Sequence, residues 1–74
     1  MTKLPVVSGA ECIKALQRLG YQIVRTRGSH TWLVCHGRAP VPVPKHRELG
    51  RGILRKILKA ANTSVDEFIE LLKG

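Results

Sequence analysis

The segment Ala39-Pro-Val-Pro-Val-Pro44 constrains this chain more than any other. Proline lacks a backbone N–H and locks φ, so a run with proline at every second position is barred from a helix and from the middle of a sheet. An edge strand remains open to it, because alternate residues of a strand aim their N–H groups to the same side. Pro40, Pro42 and Pro44 then face solvent, while Ala39, Val41 and Val43 bond to a neighbouring strand. The same prolines stop another chain from adding to that edge. The segment is therefore predicted to be the edge strand of a sheet.

Its partners lie just upstream. Tyr21 to Thr26 is rich in aromatic and β-branched residues, which favour strands. Arg27-Gly28-Ser29 has the composition of a tight hairpin connection, His30 to His36 is the returning strand, and Gly37-Arg38 turns the chain into the proline segment. The result is a three-stranded antiparallel meander. Along its central strand Thr31, Leu33 and Cys35 share one face, and His30, Trp32, Val34 and His36 the other. Both sets contain apolar residues, so the two-residue period leaves the core face undecided.

Helices flank this sheet. Ser8 with Glu11, and again Ser64 with Glu67, have the Ser-x-x-Glu spacing of a capping box, in which each side chain satisfies a free N–H at a helix start. After the first box Cys12, Ile13, Leu16 and Leu19 recur on one helical face, and Gly20 can take the left-handed conformation that ends a helix. From Gly52 onward Leu54, Ile57, Leu58 and Ala61 form a second apolar stripe, with Arg51, Arg55, Lys56 and Lys59 largely outward and Asn62 as the stop. Val65, Phe68, Ile69 and Leu72 make a third stripe after a bend. The predicted fold is α+β, in the order α-β-β-β-α with a short final α, as one two-layer domain over residues 1–74. Its helices cover one face of the sheet and leave the other free to bind.

At 74 residues a folded chain buries only roughly 60% of the surface its unfolded state exposes, so any site must lie at the surface. Thirteen Lys and Arg against five Asp and Glu give a net charge of +8. A surplus that large attracts polyanions; nucleic acid leads, and an anionic membrane surface or an acidic protein are the other partners such a charge suits. The first nine residues lack the apolar run of a signal peptide, and no segment is long enough to span a bilayer, so a soluble cytoplasmic protein is expected. Cys12 and Cys35 make no Cys-x-x-Cys pair and no disulfide framework, and are expected to be reduced. Neither a metal nor a cofactor is expected, because no set of Cys and His has metal-site spacing and no carboxylate pair, phosphate-binding glycine loop or serine triad is present.

The candidate chemistry lies in Arg25-Thr-Arg-Gly-Ser-His30. RNA holds a 2′-hydroxyl next to each phosphate, so scission needs a base for that proton, positive charge on the phosphoryl oxygens and an acid for the leaving 5′-oxygen. Imidazole titrates near neutral pH and serves as either acid or base. Arg25 and Arg27, which feed the turn, can hold a phosphate bidentately and stabilise the developing charge. Lys45, Arg47 and the basic helix face of Arg51, Arg55, Lys56 and Lys59 add contacts for RNA or an acidic partner, and the helix start at Gly50 to Gly52 offers free N–H groups to a phosphate. By itself, Gly-Ser-His is ordinary hairpin chemistry. Trp32 is expected in the core, where a lone tryptophan of a small domain usually contributes most; on a solvent face with His30 it would instead stack an unpaired base.

Three signals coincide in order and spacing: Gly28-Ser29-His30 after a basic strand, Val-Pro-Val-Pro-Lys-His over 41–46, and Gly-Ile-Leu-Arg-Lys-Ile over 52–57. Together, over nearly the whole chain, they resemble the HicA family of bacterial mRNA interferase toxins. The resemblance implies a fold like that of a double-stranded RNA-binding domain, cleavage of mRNA, and neutralisation by a partner antitoxin of the HicB family. By position it carries the family's histidine onto His30. The expectation is thus a metal-independent endoribonuclease with His30 as its catalytic residue and Arg25, Arg27, Gly28, Ser29, Lys45, Arg51, Arg55 and Lys59 as RNA contacts. The alternatives are a non-catalytic basic RNA-binding module, whose affinity would fall steeply with salt while the RNA stayed intact, and a subunit whose basic face docks an acidic protein.

Overall fold

The computed structural model describes residues 3–74; residues 1 and 2 of the expected domain lie outside that range. Six elements follow one another: α1 (Gly9–Leu19), β1 (Gln22–Arg27), β2 (His30–Cys35), β3 (Arg38–Pro44), α2 (Arg51–Ala61) and α3 (Val65–Lys73). The strands form an antiparallel sheet in the order β1-β2-β3, which puts the proline strand at an edge with Pro40 and Pro42 exposed; Pro44, expected to face solvent as well, is buried where the start of α1 closes on the end of β3. The α+β order is the one expected from the sequence.

Both capping boxes form, with each serine hydroxyl accepting from a glutamate N–H and each glutamate carboxylate accepting from a serine N–H. Gly20 ends α1 at φ 119°, and the Tyr21 N–H then donates to the Leu16 carbonyl, a helix-closing bond. That bond draws Tyr21 out of the strand it was expected to begin. Its ring is buried instead, and its hydroxyl donates to the Ala39 carbonyl at 2.7 Å. Asn62 stops α2 in the left-handed region at φ 54°, which asparagine tolerates better than most residues. Arg38, expected in the turn, opens β3, and its guanidinium donates to the carbonyls of Ala61 and Asn62. There a cation meets the negative end of α2.

The core face of β2 is set by what packs on it. Thr31 and Leu33 are buried beside Val41 and Val43, beneath Cys12 and Leu16 of α1, Leu54, Ile57, Leu58 and Ala61 of α2, and Phe68 of α3. α2 packs against β3, and α1 against α3 and β3. All six residues of β1 are exposed, so the helices cover β2 and β3 and leave β1 bare. Trp32 lies on the opposite face and is 37% exposed. This corrects the core position expected of it: the strand period ties Trp32 to the face of His30, and Thr31 and Leu33 occupy the inside.

The connection from β3 to α2 is drawn in tightly. A Cβ on Gly9 would collide with the Pro44 carbonyl oxygen, while the Gly9 N–H donates to the His46 carbonyl at 2.9 Å. Only a glycine lets the start of α1 come this close to the end of β3. The same connection is tied to the β1–β2 turn, where the Lys45 N–H donates to the Ser29 carbonyl at 2.6 Å.

Candidate nucleic-acid interface around His30

β1 and β2 pair through Arg27–His30, Thr26–Thr31, Arg25–Trp32, Ile23–Leu33 and Gln22–Val34, with a slip of register between Ile23 and Arg25. Val24 is the extra residue. Strict alternation from Ile23, which stands opposite the buried Leu33, would put Arg25 and Arg27 on the helix side of the sheet. One bulged residue turns both to the other side. Directly paired residues share a face, so Arg27 stands across from His30, and Arg25 across from Trp32, on the face without helices.

The turn that joins these strands holds Gly28 at φ 58°, in the first of two loop positions, where a tight hairpin calls for glycine. Ser29 follows, and its hydroxyl lies 3.5 Å from Nδ1 of His30. With the Lys45 N–H on the Ser29 carbonyl, the fold gathers Arg25, Arg27, Gly28, Ser29, His30 and Lys45 at one end of the sheet.

A cleft of about 380 Å³ opens between β3 and α2. His30 and Pro42 line its sheet side, Ile53, Lys56 and Ala60 its helix side, and the buried Val41, Pro44 and Ile57 complete its lining. Pro44 pairs with His30 and Pro42 with Trp32, so the prolines carry the helix-free face out to the sheet edge. The ionisable groups among these lining residues are His30 and Lys56, and none is a carboxylate.

Not every expected contact joins them. At about 100° of rotation per residue, Ile53, Lys56 and Ala60 share one flank of α2, whereas Arg51, Arg55 and Lys59, spaced by four, run along the other. Lys59 lines a separate depression with Asn62, Ser64 and Glu67. The structure thus separates Arg51, Arg55 and Lys59 from His30 and brings Lys56 to it. Lys45, His46 and Arg47 border another depression beside Ser8 and Ile13, so Lys45 joins the His30 end of the sheet through its main chain. His36 sits in the turn at the far end of β2, roughly 20 Å from His30 at about 3.3 Å per strand residue. Gly50, the N-cap of α2, makes no side-chain cap bond, and no acid occupies the first turn, so free N–H groups remain there for an anion.

Other charges are spent on the fold. Arg18 donates to the Leu71 and Leu72 carbonyls at the end of α3, Lys73 pairs with Glu70, and Glu11 and Glu67 serve the capping boxes. What remains at the end of the sheet is one imidazole flanked by cations on both sides. Such a set can hold a phosphodiester and exchange a proton with it. Among the described residues no helix is long and apolar enough to cross a membrane.

No curated protein matches this chain. The family profile described as HicA toxin of bacterial toxin-antitoxin matches residues 9–63, from the first residue of α1 to just beyond α2, and so takes in the hairpin, His30, the proline strand and the whole cleft. That match spans well over half of the chain, and the fold beneath it has the helix and strand order that the sequence resemblance implied. This chain therefore belongs to the HicA family of toxins of bacterial toxin-antitoxin systems, and so has a cognate antitoxin.

Proposed function

We propose that this toxin is a metal-independent endoribonuclease that cleaves mRNA, with His30 as its acid–base group. The observation that carries this reading is the bulge at Val24, through which Arg25 and Arg27 stand opposite Trp32 and His30 on the helix-free face. With Nδ1 beside the Ser29 hydroxyl, Nε2 of His30 is the ring nitrogen left to meet the substrate. It removes the 2′-hydroxyl proton, the 2′-oxygen attacks phosphorus, and the bond to the 5′-oxygen breaks as that oxygen gains a proton from an acid or water. The products are a 2′,3′-cyclic phosphate and a free 5′-hydroxyl. Arg25, Arg27 and Lys56 oppose the charge that builds on the phosphoryl oxygens, and Lys45 with the main chain of Gly28 and Ser29 fixes the approach. Arg51, Arg55 and Lys59 form a second basic row that holds the rest of the strand.

The cognate antitoxin is proposed to be HicB-like and to present an acidic surface. Laid over the helix-free face, that surface would cover His30 and both arginines together, with charge complementarity setting the rate of encounter.

End-labelled single-stranded RNA incubated with the purified protein in EDTA should yield fragments ending in a cyclic phosphate. His30→Ala should slow this by about 10²- to 10⁴-fold, with an unchanged melting curve because the residue is exposed. Full cleavage by that variant would place the chemistry elsewhere. RNA that stays intact, bound with a steep salt dependence, would make the protein a non-catalytic RNA-binding module.

A further inference from the structure

Pro42 and Pro44 bring no N–H to the wall of the cleft, so that wall cannot donate a hydrogen bond to a phosphate oxygen. Across from it α2 presents Ala60 and Ile53, the latter 38% exposed. An isoleucine on the surface near the exposed ring of Pro42 is apolar area left uncovered in a chain of net charge +8. The ionisable groups among the residues that line this apolar space are Lys56 and His30. A site so composed suits a ligand with a flat, weakly polar body and one adjoining anion. An unpaired nucleotide has that composition; proteins that recognise single-stranded RNA stack its splayed bases on aromatic rings or guanidinium planes, and here the His30 ring and the apolar surfaces of Pro42 and Ile53 are what the cleft offers. A base inside a duplex has both faces covered by its neighbours and would present only phosphates, which this wall cannot bind.

Resting on the nuclease reading, we propose that the cleft between β3 and α2 seats one unpaired base of single-stranded RNA against the exposed Pro42 and Ile53, over a floor that includes the buried Pro44. Lys56 holds the phosphate that adjoins this base, and His30 meets its ribose. The alternating prolines then serve two ends: they seal the sheet edge against other strands and make a donor-free wall for the base. Cleavage is confined to unpaired RNA, and Ile53 with Ala60 sets how large a base is accepted.

The test uses a short single-stranded RNA whose 2′-oxygens are methylated, so that binding is read without cleavage. With the isoleucine methyls of the protein labelled for NMR, this RNA is expected to shift the Ile53 signal and to leave Ile69 on α3 in place. Removing one base at a time along the RNA should weaken binding by about tenfold at a single position, the size of one lost base contact, and abolish the Ile53 shift there. In Ile53→Ser the same base removal should cost nothing. Lys56→Ala should lower the slope of log affinity against log salt by about 0.7, one single-strand phosphate, and Lys56→Arg should restore it. The buried Ile57 methyl reports that each variant is folded. RNA that binds while Ile53 stays unmoved, or that fails to bind, would overturn the base seat. If the Ile53 shift and the base dependence appear but unmodified RNA is never cut, the seat stands and the nuclease reading fails.

Discussion

Thr31 is buried at 1% exposure, and its hydroxyl has no hydrogen-bond partner among the described residues. A buried hydroxyl without a partner keeps its desolvation penalty, about 1–3 kcal/mol, and valine has nearly the same shape without that cost. Thr31→Val is therefore expected to raise the unfolding free energy by about 1 kcal/mol in a urea titration. A loss of stability instead would show that the hydroxyl is satisfied in solution. Nothing local distinguishes this threonine from Thr26, its partner across the hairpin. Both point to the same side of the sheet; Thr26 is exposed and Thr31 is not, because the helices reach β2 and stop short of β1.

In β1, a single surplus residue governs which way two arginines point. Two deletions separate the bulge itself from its effect. Removing Val24 leaves a regular strand in which Arg25 still pairs with Trp32 and Ile23 with Leu33. Removing Thr26 also gives a regular strand, yet it slides Arg25 opposite Thr31 on the core side and puts Val24 across from Trp32. The Val24 deletion is expected to bind single-stranded RNA as the parent does. The Thr26 deletion should lose one phosphate contact, seen as a salt slope about 0.7 shallower. Equal binding by the two would mean that Arg25 does not touch RNA. The sequence Gln22–Arg27 reveals this strand, but not its bulge, since Ile23 and Val24 are both apolar, β-branched and exposed.

Across the whole molecule, stability carries a pH signature from two groups held in the core region. Burial pushes the Cys12 thiol from 9.0 up to about 12. The Tyr21 hydroxyl is also raised, chiefly by burial and further by nearby Cys35, with Arg38 opposing. Both groups ionise at their ordinary values once the chain unfolds. Between pH 9.0 and about 12 the unfolded state thus holds fewer protons than the folded one, so stability is full below that window and falls as pH rises through it. Chemical unfolding followed across this range should show the decline, and Cys12→Ala should flatten it. A decline of the same depth in that variant would assign it to Tyr21.

The edge strand, both capping boxes and the apolar stripes of α1 and α2 could be read directly from the chain, and so could Val65, Phe68 and Leu72 of α3, where the core takes Leu71 rather than the expected Ile69. Each rests on backbone bonding or side-chain period within a few residues, so neighbours in sequence are enough to specify it. The place of His30 at the start of β2 was legible too, through the turn that precedes it. The inward face of β2, the direction of Arg25 and Arg27, and the choice of Lys56 over Arg51, Arg55 and Lys59 as the cation beside His30 were decided only by tertiary structure. The physical reason is common to all three. A side chain's face is chosen by which neighbouring surface excludes water from it, and for a strand apolar on both sides or a helix basic on both flanks, that surface comes from a distant part of the chain.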